Sequence, residues 1–199
     1  MPLNHAIRAQ LKEVLGQAQE RGWIGGRPID QHIDHALGFA EVASAVPSVA
    51  VDLGSGGGLP AFVLAAAWSR SQWTLVESSL PKAAFLELHR ANLGWSDRVA
   101  VFHGHAQSLG QNEDFRGRAD LVTARSLGPF SLVIATAAPL LRLGGELIVS
   151  ASPDATPWPF ESLASLGMSP DRLTQTAPKF HRTTQLAPAP GSPPVDGQQ

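Results

Sequence analysis

Asp52 and Glu77 are the two residues of this chain best placed to do chemistry. Asp52 lies in the hydrophobic run Val46–Leu53, just ahead of four glycines: Gly54, Gly56, Gly57 and Gly58. Glu77 closes the next apolar run, Trp73-Thr74-Leu75-Val76, and stands 19 residues after Gly58. A glycine turn between a strand and a helix can take positive φ, and a ligand can lie directly on its backbone. An acid at the end of the second strand can accept both hydroxyls of a ribose. A pyrophosphate would need free helix-terminal amides with no negative charge beside them, and Asp52 puts such a charge there. The turn therefore suits a ligand with a ribose, an amino group and a sulfonium but no phosphate. S-adenosylmethionine fits that description better than a nicotinamide dinucleotide does. Arg125 is a third candidate, since it ends an apolar run (residues 119–124) at the sheet edge where open α/β folds bind ligands.

The elements that must carry these residues are written in the hydrophobic pattern. Residues 3–20 repeat apolar positions at spacings of three and four, which predicts an amphipathic helix, and a second helix is expected from Asp30 to about Ala45. A regular alternation follows: strand 49–53, helix 59–68, strand 73–77, helix 81–93, strand 98–102, a polar loop, strand 119–124 and helix 129–141. A turn at Gly144-Gly145 and a strand at 146–151 complete it. Repeated strand–helix units predict a parallel, doubly wound sheet. Ser78 or Ser79 can cap the helix at 81–93, and Pro81 suits its first turn. Further on, a helix at 158–166 and one or two antiparallel edge strands within 170–186 are expected, and the Pro/Gly-rich stretch 187–199 reads as disordered.

With 199 residues, 43% hydrophobic and 16% charged, the chain suits one well-packed α/β domain. A net charge of −2 excludes a globally basic nucleic-acid surface but leaves room for a local patch. The lack of cysteine rules out a disulfide framework, a thiolate nucleophile and a cysteine-type zinc site. The opening segment MPLNHAIRAQLKEVLG has no long apolar core, so neither a signal peptide nor a membrane span is expected and the cytoplasm is the expected compartment.

Several motifs together resemble one family. They are Gln31-His32-Ile33 with Asp34-His35-Ala36-Leu37, VDLGSGGGLP at 51–60, LVESSLPKAAFL at 75–86, Gly104-His105-Ala106-Gln107, DLVTAR at 120–125 and PLLRLGGELIV at 139–149. In these the chain is similar to the small-subunit ribosomal RNA guanine-7-methyltransferases, once called glucose-inhibited division protein B. The resemblance runs from about His32 to Ser150 and fades toward Arg182. It implies a class I S-adenosylmethionine-dependent methyltransferase with a Rossmann-like, doubly wound and mostly parallel sheet. The division expected on that basis is a helical N-terminal extension at 1–46, the cofactor-binding methyltransferase domain at 47–186 and the tail at 187–199.

The resemblance also implies a site. In the family the glycine turn, a residue pair after the third strand and an arginine after the fourth contact S-adenosylmethionine. Carried to this sequence, these are Gly54, Leu59, the pair Ala106 and Gln107, and Arg125. With the acids and the remaining turn residues, the expected cofactor set is Asp52, Gly54, Gly56, Gly58, Leu59, Glu77, Ala106, Gln107 and Arg125. A backbone amide of Ala106 or Gln107 can meet the adenine edge, and Leu59 can pack on its face. Lys82, His105 and Arg125 are the substrate-binding candidates, and the expected partner is 16S rRNA or the small ribosomal subunit, met by a monomer away from any membrane.

The chain departs from the family at four positions: His105 stands for an arginine, Gln107 for a glutamate, Ala61 for a glycine and Ser150 for a lysine. Two other readings therefore stand beside rRNA methylation: a different, small-molecule acceptor, or a non-catalytic interaction protein that keeps the cofactor fold. Methyl transfer from a sulfonium is an in-line displacement that depends on positioning, so no residue is assigned as an obligate general base. His32 and His35 share one helical face, but two histidines without a third ligand make a poor zinc site; packing beside the pocket suits them better, and no metal is expected. Glu87, Arg90 and Arg142 read as helix-surface charges.

Overall fold

The computed structural model describes residues 3–125, 128–150, 160–172 and 178–184. Its first two elements are helices, α1 (His5–Glu20) and α2 (Ile29–Val42). The Asn4 side chain opens α1 by accepting the Ile7 amide at 2.8 Å. Leu11, Val14, Leu15 and Ala18 form its buried stripe. The alternation then runs β1 (Val49–Leu53), α3 (Ala61–Ala67), β2 (Gln72–Glu77), α4 (Leu80–Asn92), β3 (Val99–His103), α5 (Ala106–Leu109), β4 (Ala119–Arg125), α6 (Phe130–Ala137) and β5 (Leu141–Ser150). A final α7 (Phe160–Ser165), β6 (Met168–Arg172) and β7 (Lys179–Arg182) follow.

The seven strands form one sheet in the order β3-β2-β1-β4-β5-β7-β6. The first five are parallel; β7 runs antiparallel to β5, and β6 to β7. This is the mostly parallel α/β sheet that the strand–helix repeats predict, with the Rossmann-like order that the family resemblance implies. One buried cluster joins α1, α2 and α3 with Trp73, Leu75 and Leu86; another joins α5, α6 and Leu163 with Leu53, Val122, Leu147 and Phe180. The helical extension at the N-terminus therefore shares a core with β1 and α3. Among the described helices, none is long and apolar enough to cross a membrane.

The elements differ from expectation in four places. The helix expected at 129–141 ends at Ala137, and the strand expected at 146 begins at Leu141. The reason lies in Gly144 and Gly145, which form a bulge inside β5 rather than a turn before it. Gly144 has φ +74, and a Cβ on Gly145 would come 2.7 Å from the Ala119 carbonyl oxygen. Pairing accordingly jumps from Ala119↔Leu141 to Leu121↔Glu146. Second, Arg142 consequently lies on a strand, where its Nε donates to Asp120 at 2.5 Å. Third, Ser79 is the N-cap residue of α4 but makes no side-chain capping bond, while Pro81 does sit in the first turn. Fourth, the polar loop after β3 holds the short helix α5. The tail at 187–199 lies outside the described residues.

Candidate functional site

Strand order reverses between β1 and β4, and an open α/β sheet offers its ligand crevice at the carboxyl side of such a switch. Asp52, Glu77 and Arg125 reach that edge from three neighbouring strands.

The glycine turn is folded over the end of β2. The amides of Gly54 and Ser55 donate to the Val76 carbonyl at 2.9 and 3.0 Å. Gly54, Gly56 and Gly58 have φ of 70°, 54° and 96°, a region side chains other than glycine's rarely enter. A Cβ on Gly58 would lie 2.4 Å from the Phe62 ring, and one on Gly57 would lie 2.8 Å from Ala18 of α1. Two of the four glycines thus admit the protein's own side chains.

Glu77 is buried, and both of its oxygens serve the backbone. Oε2 accepts the Gly56 amide and Oε1 the Ser79 amide, each at 2.8 Å. The carboxylate therefore ties the glycine turn to the start of α4. Each oxygen has a second lone pair, so the group can still accept hydroxyls.

Asp52 is only 1% exposed. Its Oδ1 accepts the Thr123 hydroxyl from β4 at 2.6 Å. Its Oδ2 is buried with no hydrogen-bond partner among the described residues. Burial pushes the carboxyl up to about 6, against the pull of the Thr123 hydrogen bond. An orphaned oxygen on a buried acid attracts a cation or an N–H donor.

Arg125 is half-buried at the end of β4. Its Nη2 donates to His32 Nδ1 at 3.2 Å, and its Nη1 is buried without a partner among the described residues. Burial, then the nearby Arg27, push the guanidinium below its usual range, while Asp52 acts in the opposite sense. His32 Nε2 lies 2.8 Å from the Gly25 carbonyl. Since a carbonyl only accepts, Nε2 carries the proton and Nδ1 is left with the lone pair that faces Arg125. His35 Nε2 lies 3.2 Å from the Ser150 hydroxyl.

The other expected residues are more scattered. Leu59 is buried in the core with α1–α3, and Ala106 is buried in the core beneath α5 and α6. Gln107 is exposed and borders a cavity of about 320 Å³ between α5 and α6. Ala106 and Gln107 open α5, and helix geometry leaves such first-turn amides without an intrahelical acceptor. His105 is the exposed N-cap of α5 and makes no side-chain capping bond. Lys82 is half-buried in the first turn of α4. No hydrogen bond among the described residues joins Lys82, His105 and Arg125. One supporting residue is not singled out from sequence: Thr123, the one hydroxyl in the apolar run LVTA; His32, expected to pack beside the pocket, is in addition the partner of Arg125. The polar break at Thr123 was the available signal.

The family model for rRNA small subunit methyltransferase G matches residues 10–152. A "Ribosomal RNA small subunit methyltransferase G" from Kineococcus radiotolerans is 39% identical over 147 residues, 70% of this chain and 55% of the relative. The protein of the same name from Chloroflexus aggregans is 34% identical over 128 residues, 64% of this chain and 53% of its own. The chain thus spans about half the length of the curated relatives it matches. Among solved structures, a methyltransferase from Geobacter sulfurreducens superposes with a TM-score of 0.62 over 92% of this chain and 91% of its own, at 16% identity. That likeness speaks for the fold.

Proposed function

The chain belongs to the rRNA small subunit methyltransferase G family, and from that premise we propose that it transfers a methyl group from S-adenosylmethionine to the 7-nitrogen of a guanine in small-subunit ribosomal RNA. The observation that carries this reading is the extent of the family match. It runs from α1 past the end of β5 and so takes in Asp52, the glycine turn, Glu77, Arg125 and both histidines of α2.

The donor set fits the cofactor. Asp52 Oδ2, buried and without a partner among the described residues, supports binding of a cationic amino-acid end. Glu77, with one lone pair on each oxygen still open, would take the ribose hydroxyls above the turn of Gly54, Gly56 and Gly58. The opening amides of α5 at Ala106 and Gln107 would meet the adenine edge, with Leu59 below. When bound, S-adenosylmethionine supplies a methyl group on a sulfonium that a ring nitrogen can displace in line.

The chain's own residues bind and orient in this reading. Arg125, with Lys82 and His105 on the opposite rim, would hold the RNA so that the splayed guanine reaches the carboxyl edge. Holding the reacting atoms about 3–3.5 Å apart supplies much of the rate, and the site needs no obligate general base. The protein acts as a monomer in the cytoplasm.

The test is a methylation assay with isotopically labelled cofactor on small-subunit RNA that lacks the modification, as free RNA and as the assembled subunit. The reading expects 7-methylguanine in the digested RNA. It fails if neither substrate gains label while calorimetry shows that the cofactor binds.

A further inference from the structure

Four basic groups converge behind the carboxyl end of β4: Arg27 from the α1–α2 loop, His32 and His35 from α2, and Arg125 itself. None of them makes an ion pair among the described residues. The acids nearest on α2 are engaged elsewhere: Asp30 with Arg8 at 3.0 Å and Lys12 at 2.6 Å, and Asp34 with Arg8 at 2.8 Å. Asp52 on β1 acts on Arg125 at longer range but is hydrogen-bonded to Thr123. Arg125 and Ser150 are register partners across β4 and β5, so the His35–Ser150 contact sets the His35 ring beside the Arg125 strand end. The Phe39 ring packs edge-on against that ring, 6.0 Å between centroids.

Two details say what this cluster lacks. Arg125 Nη1 is buried and has no acceptor among the described residues, and a buried guanidinium N–H in that state calls for an anion or an ordered water. His32, pinned through Nε2 to Gly25, is a neutral acceptor that orients the guanidinium without cancelling its charge.

We propose that Arg125 and His35 together bind one small oxyanion, with His32 as the positioning residue that fixes Arg125, and that His35 takes up a proton from solvent as the anion enters. In the free protein burial, then Arg125 and Arg27, disfavour a charged His35. An anion between His35 and Arg125 reverses that balance. The inference rests on the proposed function only for the source of the oxyanion, which is either an RNA phosphate or the carboxylate of the methyl donor.

The test uses the full chain with isotope-labelled histidine, titrated by NMR in inorganic phosphate and in chloride of equal ionic strength. Phosphate should raise the His35 midpoint by about one pH unit. Arg125→Gln and His32→Ala should lose the phosphate response, and His32→Asn, which keeps an acceptor facing Arg125, should retain it. Equal midpoints in the two salts, or an undiminished response in Arg125→Gln, overturn the proposal.

Calorimetry in buffers of different ionisation heat then separates the sources. Proton uptake on adding S-adenosylmethionine identifies the carboxylate, and uptake on adding small-subunit RNA identifies the phosphate. Uptake with neither ligand overturns the assignment. A phosphate response that survives while RNA methylation is absent would sink the proposed function and leave the oxyanion site standing.

Discussion

At the carboxyl ends of β1 and β2 the buried charged groups are the acids Asp52 and Glu77; behind the ends of β4 and β5 the charged groups are bases. The acids are built into the backbone: Glu77 clasps the amides of Gly56 and Ser79, and Asp52 holds Thr123 across the switch point. The bases are supported by neutral partners: Arg125 by His32, and His35 by Ser150. On the first flank charge makes the shape of the pocket. On the second, positive charge is held in place and left uncompensated, ready for a ligand. Substitutions should therefore separate, with folding stability at stake as well as binding on the acidic flank and binding alone on the basic one.

Glu77→Ala should show the largest effect. It strips two half-buried amides of their acceptor, and charge-assisted hydrogen bonds of this kind contribute about 1.5–3 kcal/mol each. A loss of roughly 3–5 kcal/mol in chemical denaturation is expected, with Glu77→Gln falling between it and wild type because one acceptor oxygen remains. If Glu77→Ala unfolds within about 1 kcal/mol of wild type yet loses its cofactor, the acid serves the ligand alone and the comparison breaks.

That prediction marks how far the sequence could be read. VDLGSGGGLP with Glu77 announces β1, the turn, α3 and β2, because glycine spacing and a terminal acid are local signals. What Glu77 does in the free protein is not local, since it depends on how the turn folds over β2. Gly144-Gly145 misleads for the opposite reason: two glycines mark a turn or a bulge equally well, and only the approach of Gly145 to the Ala119 carbonyl decides for the bulge. The basic flank is the least legible. His32 meets Arg125 across 93 residues and His35 meets Ser150 across 115, so the docking of α2 makes those pairs and no sequence spacing encodes them.

Asp52→Asn sharpens the acidic flank through its pH dependence. The fold raises the Asp52 carboxyl from an ordinary 3.8 to about 6. The protonated acid is thus favoured by folding: its contribution is fully present below pH 3.8 and is lost as pH rises through 6. Across that window the stability difference between Asp52→Asn and wild type should shift toward the variant by about 3 kcal/mol. Denaturation curves at low and high pH measure the shift directly and cancel any fixed cost of the buried amide. A pH-independent difference would mean that Asp52 is not buried as a carboxylate. Above pH 7 the variant should also bind S-adenosylmethionine more weakly, so that the side chain which costs stability is the one that supports binding.

Arg125→Ala tests the basic flank. Burial outweighs its partners in the free protein, so removing it should change stability by no more than about 1 kcal/mol in either direction. Ligand affinity or transfer rate should fall tenfold or more, about 1.4 kcal/mol. Wild-type binding and transfer in this variant would remove Arg125 from the site. A large loss of stability would make it a structural residue like Glu77 and erase the contrast between the flanks.

Lys82→Ala should have the smallest effect and is the most selective probe of the RNA reading. Lys82 makes no hydrogen bond among the described residues and sits in the first turn of α4. There the helix dipole disfavours a cation, so its loss should leave stability within about 0.5 kcal/mol of wild type. If Lys82 meets an RNA phosphate, affinity for small-subunit RNA should drop by roughly fivefold, and the slope of log affinity against log salt should shallow by about 0.9. Binding of S-adenosylmethionine should not change. A lower RNA affinity with an unchanged salt slope would mean that the lysine touches the base or shapes α4, and the cations that hold the RNA backbone would then have to be sought on the Arg125 side.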